Sequence, residues 1–215
     1  MVGKNNLKYT KKYFARHTDH YLKKDLSTIP SFVWIKNQLA VEKGDMVLDA
    51  GCGTGYLLNF VCGGKVRGVG IDISPAAIEK ARQLFPKHHF LIGDINSLPF
   101  PAGSFNKIIC FNVLEHLSQP EEAKKELWRV LKKGGILIAG TNIKNSLSWR
   151  IFKFLFGGDS THQHEFSARE FVDFFAPDFQ ILKVARRGCI ARFPKPVNFW
   201  LNFFLRGDIL VKMKK

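Results

Sequence analysis

The stretch "MVLDAGCGTGYL" at residues 46–57 sets an apolar run containing Asp49 against three glycines at alternate positions, Gly51, Gly53 and Gly55, followed by another apolar segment. Read as strand, loop and helix, it puts bare backbone N–H groups and a helix N-terminus at the carboxyl end of a strand, where open α/β sheets bind ligands. Glycine tolerates positive φ and has no Cβ to hold a ligand away from the main chain. Taken alone, the pattern also suits any tight strand-to-helix turn. The next candidate strand, "VRGVGID" (66–72), ends in Asp72. That acid lies about 20 residues past the loop, the spacing at which a carboxylate accepts hydrogen bonds from both hydroxyls of a ribose. The strand after it, "HHFLIGD" (88–94), ends in Asp94, and Ile95 follows; an acid and an apolar neighbour suit the two sides of an adenine ring. Three successive strand ends therefore aim acids at one crevice. Asp49, placed before the loop, would oppose a pyrophosphate and attract an ammonium or sulfonium group. The strictly alternating glycines also differ from the G-x-G-x-x-G of dinucleotide sites.

Outward from this crevice, short β-branched runs continue to alternate with amphipathic stretches, predicting a mostly parallel sheet covered by helices. Further strands are expected at "KIICFN" (107–112) and "GILIAGT" (135–141), with helices over 55–62, 75–84 and 119–132. Ser74 before Pro75 reads as an N-cap with proline at the first helical position, and "KKGG" (132–135) as a helix stop feeding a strand. Residues 1–41 form a helical N-terminal flank, with Trp34, Ile35 and Leu39 on one face, and 45–142 form the ligand-binding core. Residues 143–215 hold two helical candidates, "SLSWRIFKFLFGG" and "SAREFVDFF", and two strand-like runs, "FQILKVARRG" and "GDILVKMKK", expected to pair antiparallel. With 215 residues, 46% of them hydrophobic, the chain is expected to build a single domain.

Composition narrows the setting. The four cysteines, Cys52, Cys62, Cys110 and Cys189, show no C-x-x-C spacing, so neither a zinc site nor a disulfide framework is indicated and a reducing cytoplasm fits. No run approaches the roughly 18 uninterrupted apolar residues that span a bilayer. The net charge of +15, from 33 Lys and Arg against 18 Asp and Glu, favours a polyanionic partner, either nucleic acid or an anionic membrane surface, and equally fits a generically basic surface.

Five motifs in order resemble those of class I S-adenosylmethionine-dependent methyltransferases: "VLDAGCGTG" (47–55), "GIDIS" (70–74), "GDINSLPF" (93–100), "FNKIICFNVLEHL" (105–117) and "LKKGGILIAGTN" (131–142). The resemblance implies a Rossmann-like three-layer α/β sandwich on a mostly parallel seven-stranded sheet with a C-terminal antiparallel strand. It implies S-adenosyl-L-methionine as cofactor. Asp49, Gly51, Cys52, Gly53 and Gly55 would hold the methionine moiety, Asp72 and Ile73 the ribose edge, and Asp94 with Ile95 the adenine. Backbone around Phe111 and Asn112 would reach the methionine amine. Two positions depart from the family pattern: Asn106-Lys107 stands where an acid is usual after the phenylalanine, and Lys133 where a proline is common. Both are expected outside the cofactor contacts.

Methyl transfer from a sulfonium requires the protein to align the acceptor and remove its proton. His116, directly after Glu115, is the candidate base, because an imidazole near pKa ~6.5 suits proton removal at neutral pH. A packing role for this histidine fits equally. The cluster "THQHEF" (161–166) contains His162, His164 and Glu165 but lacks the spacing of a zinc site, so no metal is expected at this cluster. Looser similarity to ubiquinone-biosynthesis O-methyltransferases implies a small-molecule or lipid-like acceptor, methylated at oxygen, with His162 and His164 in the loop closing over it and Glu115 on the acceptor side, where with His116 it would help bind a Mg²⁺ beside a catechol. The aromatic and basic stretches at 146–158 and 193–207 are compatible with a peripheral contact at the inner membrane surface, with core helices, or with an apolar substrate tunnel. An RNA or protein methyltransferase, or a non-catalytic cofactor-binding module, are the competing readings; "FNVL" occupies the place of an amide-methylating N-P-P-Y tetrad.

Overall fold

A computed structural model of the chain describes residues 25–143, 163–188 and 206–215. Seven strands form one sheet in the order β3-β2-β1-β4-β5-β7-β6. The central strand β1 (Val47–Ala50) runs parallel to β2 (Val69–Asp72) and β4 (Phe105–Phe111). Beyond them β3 (His89–Ile92) and β5 (Leu131–Asn142) extend the parallel set. The last strand, β7 (Arg206–Lys214), inserts antiparallel between β5 and β6 (Gln180–Gly188), with Asn142 opposite Asp208 and Val184 opposite Val211. The expected pairing of the two terminal runs is thus present, and β7 alone opposes the sheet direction.

Two helical layers cover the sheet. On one face α1 (Pro30–Leu39), α2 (Tyr56–Cys62) and α3 (Pro75–Leu84) bury Ile35, Leu39, Leu58 and Ile78 against Val47, Ile109 and Ile138. On the other, α4 (Pro120–Val130) and α5 (Ala168–Phe175) bury Leu127, Phe171 and Phe175 against Leu48, Ile108 and Leu137. Strand residues therefore feed two cores alternately, which is why their runs are continuously apolar. Ser74 Oγ accepts from Ala77 N at 3.3 Å and fixes the start of α3. At α5, Ser167 and Glu170 exchange side chain-to-backbone bonds in a capping box.

The strand ahead of the expected 135–141 boundary is longer than the glycines suggested. Leu131 is fully buried and pairs with Phe105, so α4 passes directly into β5 and Gly134, at φ +78°, lies inside the strand's irregular start. Both departures from the family pattern sit away from the crevice. Asn106 accepts from Met46 N at 2.6 Å and bonds Asp45, while Lys107 pairs with Asp45 at 2.7 Å and donates to Ala40 O at 2.6 Å, joining the N-terminal flank to the sheet. Lys133 is exposed. Most of the flank before residue 25, His162, the 146–158 stretch and nearly all of the 193–207 stretch lie outside the described residues.

Candidate cofactor and acceptor site

The loop after β1 is held by the neighbouring strand: Gly51 N and Cys52 N donate to Ile71 O at 2.8 and 3.0 Å. Gly51 and Gly55 have φ of +82° and +81°, where other residues are strained. Their neighbours matter as much as φ. A Cβ on Gly51 would stand 2.2 Å from Val113 Cγ2, and one on Gly55 would stand 2.7 Å from Phe90 Cζ. The sequence reading reserved this space for a ligand; at these two positions protein side chains already occupy part of it. Cys52 is buried against the second strand, its thiol pushed well above the usual range by burial, so it fills space rather than reacting.

Asp72 closes β2. Its Oδ2 accepts from Gly53 N at 2.8 Å and its Oδ1 from Ser74 N at 2.9 Å, tying the glycine loop to the start of α3. Burial raises its pKa and these two bonds oppose the rise. Each oxygen keeps a second lone pair for a ribose hydroxyl. Beside it Ile73 is 38% exposed and offers an open apolar surface. Asp94 is exposed and its Oδ1 accepts from Asn96 N at 2.9 Å. Ile95, by contrast, is 6% exposed and packs in the core with Ile71 and Leu98, which leaves it little surface to place on an adenine.

Asp49 is buried at 2% exposure. Burial, together with the charge of Asp72, raises its pKa to about 7, while a backbone bond from Leu58 in the first turn of α2 works the other way. Its Oδ2 has no hydrogen-bond partner among the described residues. Nor does the Oδ1 of Asn112, a buried atom on a residue held at φ +54°, whose own N–H donates to Gly140 O at 2.8 Å. A ligand bearing an ammonium and a sulfonium fits these two orphaned acceptors and the bare loop beside them. Phe111 turns away, its ring edge-on to Phe32 of α1 at 6.2 Å, so only its backbone faces the crevice.

The acceptor-side residues gather past β4. Leu114–His116 form a single 3₁₀ turn. The carbonyl of Glu115 accepts from Gln163 N at 2.8 Å and His164 N at 3.0 Å, docking the loop before α5 on this turn. His164 and His116 are both half-buried there, with His164 Nε2 3.5 Å from Ser118 O. Glu115, His116 and His164 are therefore neighbours in the structure. Sequence reading missed Asp208 and Ser31, which join them: Asp208 is 5% exposed and accepts from Ser31 Oγ at 2.6 Å. Among the described residues no three His, Cys, Asp or Glu side chains are grouped to hold a metal ion.

With this geometry in view, residues 48–139 match the family model described as Methyltransferase domain. Over that region the chain is similar to S-adenosylmethionine-dependent methyltransferases. A malonyl-[acyl-carrier protein] O-methyltransferase of Serratia marcescens is 37% identical over 106 residues, covering 48% of this chain and 41% of that protein. A protein of Mycolicibacterium smegmatis named probable S-adenosylmethionine-dependent methyltransferase is 33% identical over 98 residues, covering 46% of this chain and 38% of that one. The matched region thus spans about two fifths of the length of these relatives. Among solved structures, a Haloferax volcanii complex of the Trm112 methyltransferase activator with a methyltransferase aligns at TM-score 0.78 and 21% identity, over 95% of this chain and 96% of that one. The [4+2]-cyclase SpnF aligns at TM-score 0.66 and 22% identity, over 86% and 80%. The solved structures share the Rossmann-like fold of this sheet and its helical layers.

Proposed function

We propose that the chain transfers the methyl group of S-adenosylmethionine to an oxygen of a small-molecule or lipid-like acceptor bound over β4, β5 and β7. The observation that carries this reading is the adjacency of two unlike sites on one sheet edge: a glycine loop with orphaned acceptors at Asp49 and Asn112, and a buried polar group around Glu115 and His116. The cofactor supplies an already activated methyl on a sulfonium. Gly51–Gly55 and Asp72 fix its position, Val113 closes the loop from above, and His116 takes the acceptor proton as the new bond forms. Alignment alone is worth roughly 7–11 kcal/mol in such displacements.

Oxygen as the acceptor atom is supported by the Serratia and Enterobacter lignolyticus relatives, both named O-methyltransferases. The +15 charge favours an RNA or protein acceptor, but "FNVL" (111–114) stands where an amide-methylating N-P-P-Y tetrad would lie, and we rank that reading second. SpnF, a cyclase on this fold, keeps the non-methylating alternative relevant. Among the described residues no helix is long and apolar enough to cross a membrane; we place the protein in the cytoplasm, with peripheral contact at the membrane surface. Incubation with methyl-labelled S-adenosylmethionine and cell extract, followed by separation of organic-soluble, RNA and protein fractions, tests the proposal. Label in the organic fraction is expected, and label confined to RNA or protein refutes it.

A further inference from the structure

The loop between β3 and β4, residues 93–104, contains no strand or helix to pair its main chain. At its middle the partners come from α4. Leu98 N donates to Glu126 Oε2 at 2.7 Å, while Arg129 donates to Leu98 O at 3.0 Å and to Phe100 O at 2.7 Å. The two side chains, three residues apart on one face of α4, also hold each other: Arg129 Nε donates to Glu126 Oε1 at 2.7 Å and Nη2 to Oε2 at 2.8 Å. A guanidinium is a planar fork of donors, and this one serves a carboxylate and two carbonyls together. Burial of Ile95 and Leu98 presses the loop onto the core, but that force has no direction. The bonds to α4 are what orient its peptide groups.

The same loop starts beside the cofactor crevice. Gly93 N donates to Asp72 O at 3.0 Å, so Asp94 follows directly on the strand end read as the ribose contact. Asp94 Oδ1 accepts from Asn96 N at 2.9 Å and its carbonyl accepts from Ser97 N at 3.1 Å, and this turn runs straight into Leu98. Asp94 is exposed, and the buried Oδ1 of Asn96 has no hydrogen-bond partner among the described residues. The turn therefore holds acceptors with capacity left over, which suits a donor such as the exocyclic amine of adenine. A base with a carbonyl at that position would set acceptor against acceptor.

We propose that Glu126 and Arg129 are positioning residues for base selection: from α4 they fix the 94–100 loop so that its acceptors meet the amine of adenine. This deepens the methyltransferase reading and rests on it. Both residues act through the loop and not on the nucleoside itself. The Arg129 and Glu126 side chains are 36% and 19% exposed, and an ion pair so open to water adds little to the stability of a whole fold. Its removal should disturb the loop more than the protein.

The test uses the full chain with S-adenosylhomocysteine and S-inosylhomocysteine, which carry an amine and a carbonyl at the same position of the base. Calorimetry of the unsubstituted chain comes first. No binding of S-adenosylhomocysteine counts against the methyltransferase reading itself, whereas binding with less than about tenfold preference over the inosyl compound overturns this proposal alone. Arg129→Ala should cut the preference to about twofold or less. Arg129→Lys, which keeps the charge but lacks the fork, should lose it as well. A clamp serving stability only would leave the ratio of the two affinities intact, so a folded variant that keeps the preference overturns the proposal, whatever its melting temperature. Should neither variant fold, amide exchange in the unsubstituted chain decides. At matched saturation S-adenosylhomocysteine should slow exchange at Asn96, Ser97 and Leu98 several-fold more than S-inosylhomocysteine does, and equal slowing overturns the proposal.

Discussion

Asp72 and Glu115 are both acids at the carboxyl edge of one sheet, yet their surroundings are opposite. Asp72, closing β2, accepts backbone bonds from Gly53 and Ser74 and serves as a structural joint whether or not a ligand is present. Glu115, in the turn after β4, is more deeply buried, and neither oxygen has a hydrogen-bond partner among the described residues. Asp72 thus has its partners within the fold, whereas Glu115 shares with Asp49 and Asn112 the state of a buried acceptor without a hydrogen-bond partner among the described residues. A protein keeps a group in such a state only where the surrounding structure compels it, and these places cluster at sites of function.

The contrast can be broken most severely at the loop. Gly51→Ala should destabilise the fold by roughly 2–4 kcal/mol, since strained φ and a Cβ 2.2 Å from Val113 act together, and should abolish S-adenosylhomocysteine binding in calorimetry. Asp72→Ala removes the acceptor for two backbone N–H groups as well as the proposed ribose contact. A loss of roughly 2–3 kcal/mol in cofactor affinity is expected, and an unchanged value would remove Asp72 from the site.

Glu115→Gln should act in the opposite sense on stability, raising it by roughly 1–3 kcal/mol at pH 8 in urea titrations while methyl transfer falls. The sign follows from a folded-state pKa raised from 4.5 to about 8: the acid's contribution is full below pH 4.5 and is lost as pH climbs to about 8. The variant should lack that slope. His88 supplies a control of opposite hand. It is buried, its Nδ1 accepts from Gly68 N, and its pKa is lowered to about 4, so its contribution is present above about pH 6.5 and fades as pH drops toward 4. The smallest effect belongs to Lys107→Ala, which should cost about 1 kcal/mol by freeing Asp45 and leave cofactor affinity unchanged.

The two halves were also unequally legible. The cofactor half could be read because its determinants are local: a glycine loop, a strand-end acid and a capped helix fall within short stretches such as 47–55 and 70–74, and the fold places them as that order implies. Ile95 reads less well, since its neighbours along the chain could not reveal that Ile71 and Leu98 claim its surface. The clash that makes Gly51 obligatory involves Val113, from a different strand-to-turn junction. The Ser31–Asp208 bond joins residues 177 positions apart, and no periodicity carries that information. An acid at the head of the run "GDILV" was the one available hint, and its meaning depended on β7 lying beside β5.

That placement has a consequence for the order of assembly. Because β7 follows β6 in the chain but stands between β6 and β5, β6 cannot join the sheet until β7 has crossed to meet Ala139 and Gly140. The β1–β4 block needs no such distant partner, whereas the β5–β7–β6 region must first close a long loop, a slow event by topology. Refolding should then recover affinity for the nucleoside ligand early and acceptor selectivity late, with the interval between them set by a single strand insertion.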